Sequence, residues 1–300
     1  MTGTHSPIVI IGAARSGTKF LRDVLAAGPD TAAVPYDVNY VWRTGQEAMH
    51  HDRLEPVTAT PERAASIRAR LRRLARAGNG DVLIEKTVSN GLRIPFVDVV
   101  LPDARFVHLI RDGRDVAESA MRQWRAPPDW FGLWRKLTAM PLANARYALW
   151  FARNLASGTV TAGRSGGKLW GPRYPGILDD VAHLPLAGVC ARQWARTVEY
   201  ARADLDALPR DRVFEIRYED LTANEAALAD LVERLALPAR DHVLNFWRRH
   251  VRIQDAPLWK LMPAEDRMAI ETHAGAALAT LGYGPARLGE SAQANVMSGL

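Results

Sequence analysis

Pro7-Ile-Val-Ile-Ile-Gly12-Ala-Ala-Arg15-Ser16-Gly17-Thr18-Lys19 runs from an apolar stretch into a glycine-bounded turn, after which Phe20, Leu21, Val24 and Leu25 recur at helical spacing until Gly28-Pro29. Consecutive aliphatic residues bounded by turn residues read as a short buried strand, and the helix-spaced set as an amphipathic helix, so the stretch is strand, loop, helix. A loop at that junction offers backbone N–H groups and the positive end of a helix dipole, which together favour an anion. A nucleotide-triphosphatase loop would read G-x-x-x-x-G-K-[ST]. Here Thr18 precedes Lys19 and Arg15 stands before Ser16-Gly17. Swapping the last two residues turns each group by about 100° around the helix, so the Lys no longer reaches terminal phosphates while a hydroxyl ligates magnesium. The inversion argues against magnesium-nucleotide hydrolysis.

Working outward, the alternation continues. Thr60 as cap, Pro61 in the first turn, Ile67, Leu71 and Leu74 on one face and Gly78 as terminator predict a second helix. Asn79-Gly80 turns the chain, Asp81 to Lys86 reads as a strand, Ile94 to Leu101 as a helix, and Arg105 to Ile110 as a strand apolar through most of its length. A helix begins near Arg114. Arg212 to Arg217 gives a further strand, and Thr222-Ala-Asn-Glu225 has the form of a capping box opening a helix with Leu228, Leu231, Val232 and Leu235. Repeated strand and helix alternation predicts an α/β fold, P-loop-like, in three layers with a central parallel sheet flanked by helices. Between 125 and 189 the pattern loosens around Pro127-Pro128, Gly163 to Gly167 and Gly171-Pro172, with Trp130, Trp134, Trp150 and Trp170 scattered through it. An insertion or lid within a single domain is expected there.

Composition sets bounds. The 300 residues are 48% hydrophobic and 24% charged, enough for a sizeable core. The lone Cys190 excludes an internal disulfide, and no Cys/His spacing matches a zinc site, so a reducing, cytoplasmic location and no metal are expected. No run reaches the length of a signal or transmembrane segment. Lys+Arg exceed Asp+Glu by 39 − 33 = 6, a modest excess that suits anionic ligands.

A second motif, Arg111-Asp-Gly-Arg-Asp-Val-Ala-Glu-Ser119, directly follows the strand ending at Ile110. Arg111 offers a fork suited to bidentate phosphate binding, and Ser119 a hydroxyl from the second turn of the next helix. Asp112 and Asp115 read as caps, and Arg114 as a partner for Glu118 four residues on. Arg15-Ser16-Gly17-Thr18 after a strand resembles the 5′-phosphosulfate loop of the sulfotransferase family, in the bacterial and tyrosylprotein-like branch that carries Arg where cytosolic members carry Lys. Arg111 with Ser119 resembles the family's 3′-phosphate site. The resemblance covers about 8–122 and 192–283. It implies sulfuryl transfer from 3′-phosphoadenosine 5′-phosphosulfate, without a metal, to a hydroxyl or amine on a small-molecule, glycan, lipid or peptide acceptor.

The same resemblance implies roles for further residues. Lys86, in Glu85-Lys86-Thr87, corresponds to a Lys that approaches the phosphosulfate; as plain structure it would be a buried ion pair with Glu85. Tyr218, in Arg217-Tyr218-Glu219-Asp220-Leu221, corresponds to a Tyr beside the adenine end. Lys260, in Pro257-Leu-Trp259-Lys260, corresponds to a segment closing over the donor, although that segment's glycine-rich part is missing here. Arg15, Lys19 and Lys86, with the N–H groups of Gly17 and Thr18, would supply charge to the leaving group. Tyrosylprotein sulfotransferases place a Glu base just after the first helix and its following strand; the corresponding stretch is Val34-Pro35-Tyr36-Asp37, which makes Asp37 the expected base, offset by about one position. His50 and His51 are rival bases, and His108, inside a strand, is expected to pack. The six arginines from Arg63 to Arg76 are expected to form a solvated helix face rather than a nucleic-acid site. The tryptophans of the insertion fit an acceptor cleft or a packed lid. Two other classes stay open on the residues alone: a P-loop kinase using Asp112 for magnesium, and a non-catalytic nucleotide-binding protein.

Overall fold

In the computed structural model, which describes residues 5–78, 80–126, 169–253 and 256–284, one sheet carries β1 (Ile8–Ile11), β2 (Thr31–Ala33), β3 (Val82–Glu85), β4 (Arg105–Ile110) and β5 (Val213–Arg217). Their spatial order is β2-β3-β1-β4-β5. Every neighbouring pair is parallel, with Val9 opposite Glu85 on one side and Phe106 on the other. The chain leaves β1 toward β2 and β3 and returns past it to β4 and β5, so strand order reverses at β1. In open parallel sheets ligands bind outside the carboxyl ends of the strands at such a point.

The helices are α1 (Thr18–Leu25), α2 (Asn39–Trp42), α3 (Pro61–Ala75), α4 (Ile94–Val100), α5 (Gly113–Arg125), α6 (Ile177–His183), α7 (Leu186–Asp206), α8 (Tyr218–Ala223), α9 (Glu225–Arg234), α10 (Arg240–His250) and α11 (Ala264–Thr280). Strand residues alternate between two cores, as a period of two requires. Val9, Ile11, Leu83 and Phe106 pack with Ile67 and Leu71 of α3, Phe96 and Val97 of α4, and Ala201 and Leu205 of α7. Ile8, Ile10, Ile84, Val107 and Leu109 pack with Leu21 and Val24 of α1, Leu228 and Leu231 of α9, and Val243 of α10. A third cluster joins α5, α7 and α11 through Val116, Trp194, Val198 and Ile270. The β1 side chains are at most 1% exposed, and each stabilises the fold by about 1.5–3 kcal/mol relative to exposure. The loop after β1 is therefore anchored to the most buried strand.

Several local expectations shift. Helix α3 is capped by Thr60 as expected, but it ends at Arg76, which takes the left-handed conformation at φ 55°, two residues before Gly78. Arg217 leads directly into the short helix α8, inside which the Thr222 hydroxyl, expected as a cap, donates back to the Tyr218 carbonyl at 3.0 Å. Asn224 takes the capping role instead, accepting from the Ala226 N–H at 3.0 Å. Arg114 pairs with Asp112 at 2.8 Å, while Glu118 pairs with Arg122. Of the insertion expected at 125–189, residues 127–168 lie outside the described ones. Its far end contributes Tyr174 and Ile177, which pack on Leu92.

Candidate functional site

The loop from Gly12 to Gly17 joins β1 to α1 through a turn closed by the Ser16 N–H on the Ala13 carbonyl at 3.1 Å. Arg15 lies at φ 77° and Gly17 at φ 90°. Gly17 is required on two counts: a Cβ there would meet the Tyr218 ring at 2.5 Å, and the backbone is left-handed. Ser16 is 1% exposed, and its Oγ has no hydrogen-bond partner among the described residues. Leaving a buried hydroxyl unsatisfied costs about 1–3 kcal/mol, so this atom at a helix N-terminus fits an oxyanion bound by the loop.

The second motif stands beside the first. Arg111 follows β4 directly and donates from Nη1 to the Arg15 carbonyl at 3.3 Å, with its guanidinium 4.1 Å from the centre of the Tyr218 ring. Arg15 in turn reaches across to donate from Nε to Ser119 Oγ at 2.9 Å. The two elements that the sequence separates by about a hundred residues are thus one cationic cradle. Burial lowers the affinity of the Arg15 guanidinium for its proton, and Arg122 and Arg111 lower it further against the opposing pull of Glu118. Concentrated positive charge of this kind is relieved by an anion.

A rim holds the cradle in place. Asp112 caps α5, accepting from the Arg114 N–H, and its own N–H donates to Glu219 Oε1 at 3.2 Å, which ties the end of β4 to the segment after β5. Tyr283 donates to the other oxygen of Glu219 at 2.8 Å. The Arg114 guanidinium lies 4.3 Å from the centre of the Trp259 ring, docking the 257–262 segment on the start of α5. Burial raises the Asp115 carboxyl above the ordinary range, against Arg111 and a hydrogen bond from the Trp259 backbone. Lys260 is exposed at the edge, with Nζ 6.0 Å from the centre of the Trp259 ring.

The residues expected on the acceptor side also converge. Lys86 Nζ, on a side chain 10% exposed, lies 3.8 Å from Asp37 Oδ2. Asp37 accepts from the Val88 N–H at 3.0 Å and the Asn39 N–H at 3.3 Å. The buried Arg22 of α1 donates to the carbonyls of Val34 and Pro35, fixing the stretch that leads into Asp37. Glu85 makes different bonds from the ion pair that was its alternative role. It accepts from Trp42 Nε1 at 3.2 Å, Thr87 Oγ1 at 2.5 Å and Asn90 Nδ2 at 2.8 Å. Burial raises its carboxyl against these hydrogen bonds, and Lys86 is left turned toward Asp37.

Other candidates lie apart. Lys19 points outward with its side chain 76% exposed and Nζ 2.7 Å from Asp23. His50 is exposed on a loop, and the ring of His51 keeps its Nδ1 buried. His108 packs within β4 and faces Glu215 on β5 at 3.6 Å. The arginines of α3 brace the fold: Arg68 donates to the Val100 carbonyl at 2.8 Å and Arg70 to Thr44 Oγ1 at 2.8 Å. Trp124 is buried in the α5 core and Trp170 packs against it, while Trp130, Trp134 and Trp150 lie outside the described residues. Sequence reasoning missed Arg22, Arg122 and Glu219. Arg122 had a readable signal, since it recurs at helical spacing from Ser119; the other two depend on contacts between distant segments.

Residues 7–162 match the model of the sulfotransferase family, more than half of the chain. No curated protein matches it. Among solved structures, sulfotransferase STF9 from Mycobacterium avium is similar over 93% of this chain and 77% of its own, with 12% identity and a TM-score of 0.55. The sulfotransferase domain from the curacin biosynthetic pathway matches over 93% and 98%, with 15% identity and a TM-score of 0.47. Mouse sulfotransferase SULT7A1, solved in complex with PAP, matches over 93% and 86%, with 11% identity and a TM-score of 0.47. The likeness to STF9 is one of fold.

Proposed function

The chain belongs to the sulfotransferase family, and from that premise we propose that it moves a sulfuryl group from 3′-phosphoadenosine 5′-phosphosulfate to a hydroxyl or amine acceptor. The observation that carries this reading is the single cradle formed by Arg15, Arg111, Ser119 and Tyr218 at the carboxyl ends of β1, β4 and β5, with the partnerless Ser16 Oγ beside it. A compound with anions at two ends, 5′ and 3′, suits two adjacent cationic elements better than a triphosphate does.

When bound, the donor supplies an activated sulfuryl group on a nucleotide leaving group. Arg15, Ser16 and the N–H groups of Gly17 and Thr18 hold its 5′ end, and Arg111 with Ser119 holds its 3′-phosphate. Tyr218 packs beside the nucleotide, and Lys260 closes from the rim. Asp37 takes the acceptor's proton as the new bond to sulfur forms and the bond to the 5′-phosphate oxygen breaks. Lys86, 3.8 Å from Asp37, would steady the negative charge that builds on that oxygen. Lys19, turned onto Asp23, is left out of the scheme.

A small-molecule, glycan, lipid or peptide acceptor fits the reading, and the buried free thiol of Cys190 fits a reducing cytoplasm. The test is transfer of labelled sulfate from the donor, with a chelator present, to 4-nitrophenol, a primary amine, an amino sugar and a tyrosine peptide. Thermal shifts with adenosine 3′,5′-bisphosphate and with ATP, each with and without magnesium, accompany it. Stabilisation by ATP only with magnesium, with no response to the bisphosphate, would overturn the proposal in favour of a kinase.

A further inference from the structure

Beneath Asp37 lies a buried polar cluster that the transfer scheme does not use. At its centre Asp52 is wholly buried, 0% exposed. Its Oδ1 accepts from Asn39 Nδ2 at 3.1 Å, Arg43 Nη1 at 2.8 Å and Arg173 Nη2 at 3.1 Å. Its Oδ2 accepts from Ser89 Oγ at 2.9 Å and the Arg173 N–H at 2.9 Å. The Asp52 N–H completes the tie by donating to the Arg173 carbonyl at 2.7 Å. Burial opposes the charge on this carboxylate, but Arg173, Arg93 and Arg43 outweigh it and hold the group well below the usual range, so it is ionised wherever the protein is folded and active.

The placement of these bonds has a pattern. The two backbone N–H groups that fix Asp37 come from Asn39 and Val88. The two neutral side chains that Asp52 grips are those of Asn39 itself and of Ser89, next to Val88. Arg93 adds a brace, donating to Asn39 Oδ1 at 2.7 Å and Asn90 Oδ1 at 2.9 Å, with burial pushing its guanidinium down to about 10. Arg173 lies in the described segment that begins at Leu169, so the same carboxylate reaches the far end of the expected insertion.

We propose that Asp52 is a positioning residue for the transfer reaction, one buried carboxylate that holds the Asp37 segment, the segment after Lys86 and the 171–174 segment in a common register. A general scaffold would not need its contacts to coincide with the groups that orient Asp37. A buried charge that satisfies five donors from three segments keeps one arrangement and disfavours others. The proposal rests on the reading of Asp37 as the base, and its test separates the two.

Asp52→Asn keeps the shape and removes the charge. Hydrogen–deuterium exchange should rise at least tenfold in 36–40, 87–90 and 171–174 together, while 12–19 and 111–119 keep their protection and binding of adenosine 3′,5′-bisphosphate stays within twofold. With an acceptor from the panel above, kcat should fall at least tenfold at an unchanged donor KM. Since the variant leaves three buried guanidiniums around a neutral group and can fail to fold, Ser89→Ala serves as the second variant: it removes one tie, and exchange should rise in 87–90 alone. Unchanged exchange in the three segments of Asp52→Asn, or a rise that also includes 12–19 and 111–119, overturns the proposal; so does unchanged protection of 87–90 in Ser89→Ala. Coordinated loosening with no loss of kcat leaves Asp52 structural and also overturns it. If the wild type neither binds the bisphosphate nor transfers sulfate, the transfer reading fails, and the exchange pattern still decides whether Asp52 ties the three segments.

Discussion

Replacing Arg111 by Ala separates the two ends of the cradle. The side chain stands between the Arg15 carbonyl and the Tyr218 ring, and its guanidinium is the one that follows β4 into the crevice. A charge-assisted hydrogen bond contributes about 1.5–3 kcal/mol, and solvent screening at this half-exposed rim holds a two-pronged contact to about 2–3 kcal/mol. At 1.4 kcal/mol per factor of ten, adenosine 3′,5′-bisphosphate should bind about 30–150-fold more weakly. Adenosine 5′-phosphate lacks the 3′-phosphate that the proposal assigns to Arg111, so its affinity should change by less than about threefold. Arg111→Lys keeps the charge and loses the fork, which should weaken the bisphosphate by about five- to tenfold. Isothermal titration of both nucleotides against the three proteins measures these ratios directly. The 5′-phosphate also controls for distortion, since a shifted Arg15 carbonyl or a displaced Tyr218 would weaken both ligands. Equal losses for the two nucleotides would refute the assignment of Arg111 to the 3′-phosphate.

Arg15→Ala should lower kcat by on the order of a hundredfold or more with Tm little changed, whereas Lys19→Ala, which removes only an exposed pair with Asp23, should stay within about threefold; steady-state kinetics on both variants checks the contrast. Gly17→Ala forces a Cβ to 2.5 Å from the Tyr218 ring at a left-handed φ of 90°, so bisphosphate affinity should fall at least about tenfold by titration. Burial raises the Glu85 carboxyl above its unfolded value of about 4.3, so folding takes up a proton there and stability declines as pH climbs from about 4.3 toward the raised value. Glu85→Gln abolishes that slope: Tm of wild type minus Tm of the variant should be largest near pH 4 and shrink toward pH 7, and a difference independent of pH would refute the ionisation.

What the sequence made legible follows its range. The strand at Ile8–Ile11 and the loop after it were readable because apolar runs and a glycine-bounded turn are local signals, and β4 with Arg111 was readable for the same reason. The edge strand β2 has three residues, too few for a period to show. Helix α7, although 21 residues long, buries polar Gln193 and Thr197 among small residues on its inner side, which blurs the apolar stripe that announces a helix. Its Thr197 answers the Gln193 carbonyl, and Gln193 answers the carbonyls of Trp170 and Pro172, needs that exist only in the folded chain.

The site divides along the same line. Each of the two motifs could be read separately because an anion site selects residues adjacent in sequence, a loop N–H here and an Arg there. That Arg15 closes onto Ser119 was not readable, because one local motif gave no reason to aim its side chain at the other. The surroundings of Asp37 are harder still. The pair Asp37–Lys86 and the cluster around Asp52 form through contacts between residues 9 to 121 positions apart, and nothing near Asp52 in the chain, flanked by His51 and Arg53, distinguishes it from a loop residue. Its three surrounding guanidiniums identify it only after folding. On the proposed reading, donor recognition is written in motifs and acceptor geometry in tertiary contacts, so substitutions around Asp37 should alter acceptor choice while leaving both motifs untouched.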